Sequence, residues 1–239
     1  MSPLSTMKHR LAERYYYPAM LTRLARAVRR QNLTYLSLAK LMTLERMLDR
    51  VKRRRVPGDF LECGVALGGS AILIAGKLDG ARAFHGYDVF GMIPPPGTGD
   101  GADAHDRYAV IAAGKSNGIG GERYYGYRDD LLNEVKGSFD RFGLSVDQRR
   151  IALHKGVFAD TIRLAPKARV AFAHIDCDWY DPVRLCLERI APHMPRGGVF
   201  VLDDFNDYGG CRRAATEFLG RAPDFALESV ANSAVIARR

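Results

Sequence analysis

Four aspartates in the C-terminal half of the chain have the residue types and the spacing of a metal and proton-transfer site. Asp176 and Asp178 follow one short apolar run, and Asp203 and Asp204 follow another. Both runs are typical of buried strands, which puts the acids at strand ends. Carboxylate oxygens are the ligands that Mg²⁺ prefers, and a carboxylate left free can accept a proton. The pattern therefore indicates chemistry rather than scaffolding.

A glycine-rich turn forms a second candidate site, between the first predicted strand and the helix after it. It runs from Glu62 to Ser70. Its glycines allow a ligand to approach the backbone closely, and a helix N-terminus offers free amides. Ala66 stands where a G-x-G-x-x-G turn has its second glycine, and no P-loop lysine follows, so a dinucleotide, ATP or GTP is disfavoured. Glu62 suits a ligand ammonium group and Asp88 suits ribose hydroxyls, so an amino acid joined to a nucleoside fits.

The elements that must position these residues alternate between compact apolar runs and helical sequence. Strands are predicted over 60–65, 83–89, 150–154, 170–175 and 199–202, and a last pair over 225–230 and 233–237. A helix is predicted after Ser37 as N-cap, another from Gly68 to Lys77, and another opening at Asp181-Pro182 and closing at Gly197-Gly198. The fold class is therefore α/β, with a mostly parallel sheet and a C-terminal antiparallel hairpin.

Charge divides the chain into two parts. Residues 1–55 carry a net charge of +11 and the remainder carries −2. We interpret 1–55 as a basic helical extension, whose cations are expected to form a solvated helix face. An anionic partner is the alternative, but no nucleic-acid-binding module is recognisable. The absence of a long apolar run favours a cytoplasmic protein with no membrane partner, and four scattered cysteines predict buried, reduced thiols.

The segment 94–126 differs in composition from the rest. It opens with three prolines, is rich in glycine and shows little sustained periodicity. Long loops of this kind are usually lids or disordered segments. We expect a mobile lid that orders over bound ligand.

Several motifs, taken in order, resemble the macrocin O-methyltransferase family. The matching stretches lie between residues 56 and 239: 56–65 followed by 68–70, 88–94, 154–161, 174–180 and 202–205. The family methylates sugar hydroxyls of natural products with S-adenosylmethionine (SAM) and Mg²⁺. The resemblance implies a Rossmann-like class I SAM-dependent methyltransferase domain over 56–239, and a small-molecule hydroxyl acceptor such as a glycoside. A homo-oligomer is compatible with it.

The resemblance also implies roles for single residues. Asp178 corresponds to the proposed base, and Asp176, Asp203 and Asp204 to the metal ligands. Two departures concern the cofactor turn: family members commonly have an aromatic residue and an arginine at Ala66-Leu67, and a small residue at Val89. The expected cofactor contacts are Glu62, Gly64, Val65, Gly68, Gly69, Ser70, Asp88, Gly156 and Asp176.

Other interpretations of the same residues remain open. Each acid taken alone could cap a helix or form an Asx turn, although their joint position at strand ends argues against this. His154 and His174 are expected to be hydrogen-bonded core residues rather than ligands. The alternative functions are a metal-independent SAM methyltransferase, a nicotinamide-dependent oxidoreductase, and a non-catalytic ligand-binding domain with a basic docking extension.

Overall fold

The computed structural model describes residues 20–239. Of the predicted basic extension, residues 1–19 lie outside this range. The seven strands are β1 Asp59–Cys63, β2 Phe84–Asp88, β3 Ile151–Lys155, β4 Val170–Ile175, β5 Val199–Leu202, β6 Phe225–Ser229 and β7 Ala234–Arg238. The helices are α1 Arg23–Arg30, α2 Leu38–Arg53, α3 Gly69–Ala75, α4 Ala102–Ala112, α5 Leu131–Arg141, α6 Phe158–Thr161, α7 Tyr180–Ile190 and α8 Gly209–Arg221.

The strands form one sheet in the order β3-β2-β1-β4-β5-β7-β6. Neighbours from β3 through β5 pair in parallel, whereas β7 is antiparallel to both β5 and β6. The predicted mostly parallel sheet with a terminal hairpin is therefore confirmed. Its strand order reverses direction between β1 and β4, and ligands of open α/β sheets bind in the crevice at such a switch point.

Helices cover both faces of the sheet. On one face, Phe60 of β1 and Phe172 of β4 lie in a hydrophobic cluster with Leu44 and Leu48 of α2. The other face packs against α7 and α8 through a second cluster. The described part of the basic extension therefore contributes directly to the core beneath the parallel strands. All four cysteines are buried and free, as predicted.

Two local predictions are wrong. Helix α7 begins at Tyr180, with Trp179 rather than Asp181 as N-cap, and it ends at Ile190, before Gly197-Gly198. The segment 94–126 is not a loop without secondary structure, because it contains α4 over eleven residues. Since α4 buries few residues, its sequence shows almost no amphipathic period.

No helix within residues 20–239 combines the length and the apolar character that a membrane crossing requires.

Candidate active site

Three aspartates meet at the carboxyl ends of β4 and β5. Each of Asp176, Asp203 and Asp204 offers a carboxylate oxygen, and these oxygens lie within 4.8 Å of one another. The register explains this arrangement, because Ile175 pairs with Leu202 and the two strands therefore end side by side. We call these three residues the aspartate cluster. Its oxygen-only donor set and its close spacing fit a hard divalent cation.

Asp178 lies beside the aspartate cluster in a strained backbone conformation. Its φ is +60°, in the left-handed region that few residues other than glycine, asparagine and aspartate adopt. Its backbone amide donates a hydrogen bond to Asp204 Oδ2 at 3.0 Å. Strain of this kind persists where the surroundings enforce it, and it is concentrated at functional sites.

Burial and the charges of neighbouring carboxylates raise the pKa values of Asp176, Asp178 and Asp204. Burial is the main cause for Asp176 and Asp204, whose pKa values lie well above the usual range, and neighbouring carboxylates add to it. For Asp178, burial and the charge of Asp203 raise the pKa to about 6. A cation in the cluster would relieve this repulsion.

The glycine-rich turn fits closely against the aspartate cluster. Gly64 has a φ of +94°, and a Cβ there would lie 1.7 Å from the backbone oxygen of Asp176. No other residue type fits at this position. Because Gly64 has no side chain, the end of β1 lies directly beside Asp176 of the aspartate cluster.

Gly68 and Gly69 pack closely against other parts of the chain. A Cβ on Gly68 would lie 2.9 Å from Val135 Cγ1, and one on Gly69 would lie 2.4 Å from Leu33 O. The Gly69 amide already donates to Leu33 O at 2.9 Å, so it is not free for a ligand. Neither glycine lines a cavity at the site, whereas Val65 and Ser70 do.

Asp88 holds the glycine-rich turn in place through hydrogen bonds to its backbone amides. Its carboxylate accepts hydrogen bonds from the amides of Val65 and Ala66 at 2.7 and 2.9 Å, and from the amide of Phe90 at 2.6 Å. Ala66 and Phe90 both have positive φ values. Burial raises the pKa of Asp88, and the amide hydrogen bonds oppose the rise. Gly156 donates its amide to the backbone oxygen of Asp88 at 2.9 Å and so joins the end of β3 to the same site.

Glu62 lines neither of the two cavities at the site. It is fully buried, and its Oε1 lies 2.8 Å from His174 Nδ1. Burial raises the pKa of Glu62, and His174 opposes the rise. His174 is also fully buried, as predicted for a core histidine. Glu62 Oε2 and His174 Nε2 have no hydrogen-bond partner among residues 20–239.

Two cavities meet at the aspartates, and Gly64, Asp88, Tyr125, Asp176 and Asp178 border both. The first, of about 350 Å³, we call the apolar cavity; its walls include Val89, Ile93, Pro94, Val157, Phe158 and Trp179. The second, of about 290 Å³, we call the polar cavity; its walls include Leu33–Leu36, Lys40, Arg107, Tyr124, Asp203, Asp204 and Tyr208. Together they form a cleft along the strand ends.

Sequence reasoning missed several residues of the polar cavity. Lys40 lies on α2, Arg107 on α4, and Tyr208 directly precedes α8. No motif links these positions, which are far apart in the chain. The placement of Lys40 in a helix after Ser37 was predictable, but its direction toward the aspartates was not.

The segment 94–126 is attached to the start of α7. Trp179 Nε1 donates to the backbone oxygen of Pro94 at 3.0 Å, and the Tyr180 amide donates to Asp100 Oδ1 at 2.7 Å. Tyr125 of the segment lines both cavities, Pro94 lines the apolar cavity, and Arg107 lines the polar cavity. Whether the segment moves on ligand binding stays a prediction.

This cleft, with carboxylates at the ends of parallel strands, has the features that the sequence resemblance implied. A family model described as macrocin O-methyltransferase (TylF) matches residues 6–238. The chain belongs to the macrocin O-methyltransferase family. It is accordingly a SAM-dependent O-methyltransferase.

Curated relatives of this methyltransferase align with 79% of its length at 30–32% identity. A Streptomyces olivaceus protein named 8-demethyl-8-(2,3-dimethoxy-alpha-L-rhamnosyl)-tetracenomycin-C 4′-O-methyltransferase is 32% identical over 192 residues, which cover 79% of this chain and 68% of the relative. The mycinamicin III 3″-O-methyltransferase of Micromonospora griseorubida is 30% identical over 191 residues, covering 79% and 70%.

Solved structures share the fold of this methyltransferase. The O-methyltransferase NovP superposes with a TM-score of 0.73 at 22% identity, over 95% of this chain and 99% of NovP. The calicheamicin methyltransferase CalS11 superposes with a TM-score of 0.60 at 18% identity, over 92% and 96%. The class I methyltransferase fold that the resemblance implied is therefore confirmed.

Proposed function

We propose that this methyltransferase transfers the methyl group of SAM to a sugar hydroxyl, with Mg²⁺ held by Asp176, Asp203 and Asp204 and with Asp178 as the general base. The observation that carries the proposal is the convergence of three carboxylate oxygens within 4.8 Å, at the border of two cavities and beside a fourth acid. Carboxylates this close repel one another, and within residues 20–239 the Lys40 ammonium group pairs with only one of the three, Asp203. A bound cation would offset the remaining repulsion.

The two cavities suggest how the cofactor lies. The apolar cavity suits the adenine ring, with Val89 and Phe158 on its walls and the carboxylate of Asp88 at the end where ribose hydroxyls are expected. The sulfonium and the amino acid part then extend past Gly64 toward Ser70 in the polar cavity. This direction brings the reactive methyl beside Asp176 and Asp178. Glu62 lies behind this wall, so its predicted contact with the ammonium group is not a direct one in the proposed pose.

The bound groups supply an electrophilic methyl on a sulfonium sulfur and, from Mg²⁺, Lewis acidity that makes a neighbouring hydroxyl a stronger acid. The residues of the chain orient the acceptor hydroxyl and remove its proton. Asp178 accepts the proton of the acceptor hydroxyl while that oxygen forms its bond to the methyl carbon. The bond from the methyl carbon to sulfur breaks in the same step, and S-adenosylhomocysteine leaves with its electron pair. Without a metal the pKa of Asp178 is about 6, and a nearby cation would lower it, so Asp178 is ionised at neutral pH and able to accept the proton.

The charges of the site are compatible with this chemistry. The carboxylates of the aspartate cluster and of Asp178, the Lys40 ammonium group and one Mg²⁺ together carry a net charge of −1, which tolerates the positive sulfonium nearby. The polar cavity also presents Tyr124 and Tyr208, whose rings and hydroxyls can contact the face and the edge of a sugar. The relatives named for methylating a rhamnosyl tetracenomycin and mycinamicin III support a glycoside acceptor.

A methyl-transfer assay tests the proposal. The purified chain is incubated with methyl-labelled SAM and a panel of rhamnosylated polyketides, in Mg²⁺ or in EDTA. We expect label in the glycoside with Mg²⁺ and none in EDTA. Equal transfer in EDTA would support the metal-independent alternative, and binding of S-adenosylhomocysteine without transfer across the panel would favour the non-catalytic alternative.

A further inference from the structure

Lys40 points its ammonium group into the aspartate cluster from helix α2. Its Nζ lies 2.7 Å from Asp203 Oδ2 and 2.7 Å from Asp207 Oδ2. The Lys40 side chain is 16% exposed and that of Asp203 is 7% exposed, whereas Asp207 is 52% exposed. The ammonium group therefore bridges a buried acid of the cluster and an acid at the surface.

The position of this lysine is not that of a simple surface ion pair. Lys40 and Arg107 are the two basic residues that line the polar cavity within residues 20–239, and Lys40 is the one with an ion pair to a cluster carboxylate. The opposite oxygen of Asp203 lies 3.4 Å from the buried hydroxyl of Ser233. Asp203 is thus held from both sides, with a full positive charge in contact with one side.

We propose that Lys40 is a built-in counter-ion of the aspartate cluster, which stabilises the metal-free site and weakens the binding of the divalent cation by competing for Asp203. The inference rests on the proposed metal site. Asp207 provides the ammonium group with a second partner, so that Lys40 keeps one ion pair when the charge of Asp203 is shared with a metal. Helix α2 is thereby linked to the metal occupancy of the site.

The sign of the effect follows from the charges. A lysine in contact with a ligand oxygen lies only a few ångströms from a cation bound to that carboxylate, and a single charge repels a double charge strongly at such a distance. Lys40 also restrains the Asp203 side chain, which favours binding. The orientation of one short side chain is a smaller effect than this repulsion, so removing the charge should tighten metal binding by about tenfold or more.

Calorimetric titration of the metal-free full chain with Mn²⁺ alone tests the proposal, without SAM or acceptor. We expect K40M and K40Q to bind Mn²⁺ at least about tenfold more tightly than the wild type, and K40R to bind like the wild type. In EDTA both neutral variants should unfold at a lower temperature than the wild type, and saturating Mn²⁺ should remove this difference. The two neutral variants differ in polarity, so failure of one to fold leaves the other as the test.

Lys77 provides a matched control. Its Nζ lies 2.8 Å from Asp49 Oδ1, and its side chain is 18% exposed, but it does not line the polar cavity. K77M should leave the Mn²⁺ affinity unchanged. Equal or weaker Mn²⁺ binding by K40M and K40Q, in a wild type that binds the ion, would overturn the counter-ion proposal and leave the metal site standing. If neither the wild type nor either neutral variant binds Mn²⁺, the counter-ion proposal and the proposed metal site are both wrong.

Discussion

The backbone amide of Asp178 donates a hydrogen bond to Asp204 Oδ2, so the proposed base is held in place by a proposed metal ligand. The contact helps to hold Asp178 at a φ of +60°, in the left-handed region that aspartate adopts more readily than most residues other than glycine. Any change in the position of Asp204 is therefore expected to reach Asp178. Metal site and base form one unit.

Substitution of Asp178 should separate catalysis from folding. Asparagine tolerates a left-handed backbone and retains the shape of aspartate, but it cannot accept the proton. D178N should therefore lower kcat by about 10²–10⁴-fold and leave the affinity for S-adenosylhomocysteine nearly unchanged, measured by methyl transfer and by calorimetry. D178A should in addition lose about 1 kcal/mol of stability from backbone strain. Wild-type turnover in D178N would remove Asp178 as the base.

Substitution of Asp204 should weaken metal binding and slow catalysis together. D204N removes one anionic ligand but can still accept the Asp178 amide through its side-chain oxygen. We expect the Mn²⁺ affinity to fall by about tenfold or more, and the activity to become dependent on higher Mg²⁺ concentrations. D224N changes an exposed aspartate that pairs with Arg238 and serves as the control. A metal titration of D204N that matches that of D224N would contradict the ligand assignment.

The stability of the metal-free protein should depend on pH through Asp178. Its folded pKa of about 6 lies above the ordinary value of an aspartate, so between these values the folded state binds more protons than the unfolded state. Protonation of this group therefore stabilises the folded state at low pH, and this stabilisation is lost as the pH rises through about 6. Asp176 and Asp204 act in the same direction, because burial raises their pKa values too.

Urea unfolding in EDTA measures this effect when the wild type and D178N are compared at steps of about one pH unit, from about pH 4.5 to about pH 8. Relative to D178N, the wild type should lose at least about 1 kcal/mol of stability across the range. Saturating Mg²⁺ should flatten the difference, since a bound cation keeps the carboxylates ionised at all these pH values. Parallel curves for the wild type and D178N in EDTA would show that folding does not raise the pKa of Asp178.

Gly69 should be intolerant of a side chain, for reasons outside the reaction itself. A Cβ there would lie 2.4 Å from Leu33 O and 2.8 Å from Thr34 Cβ, so G69A must displace the segment that lines the polar cavity. We expect a loss of about 1–3 kcal/mol in unfolding free energy and weaker binding of S-adenosylhomocysteine. Gly137 is the control, since it lies inside helix α5 and no atom would meet its Cβ within 4 Å.

G137A should stabilise the protein by about 0.5–1 kcal/mol, because alanine is the better helix residue. Urea unfolding of both variants and calorimetry with S-adenosylhomocysteine provide the measurements. If G69A is as stable as G137A, the close packing of α3 against Leu33 does not constrain the cavity wall.

The sequence alone determined the sheet and the acids at its edge. The runs 170–175 and 199–202 are apolar throughout because both faces of these strands are covered, and this made β4 and β5 predictable to the residue. In parallel strands the carboxyl ends meet at one edge, which is why Asp176, Asp203 and Asp204 could be expected together. The order of motifs identified the family.

Only the tertiary structure decided how the site is supported. Helix α7 begins at Tyr180, whereas Asp181 was predicted as N-cap and Pro182 as the first helical residue. The Tyr180 amide donates to Asp100, eighty residues earlier in the chain, rather than to a local cap. Likewise, Glu62 lies behind the cavity with His174, and Lys40 reaches Asp203 across 163 positions. Contacts between distant residues leave no period or spacing in the sequence, since they depend on how the elements pack rather than on what each element is.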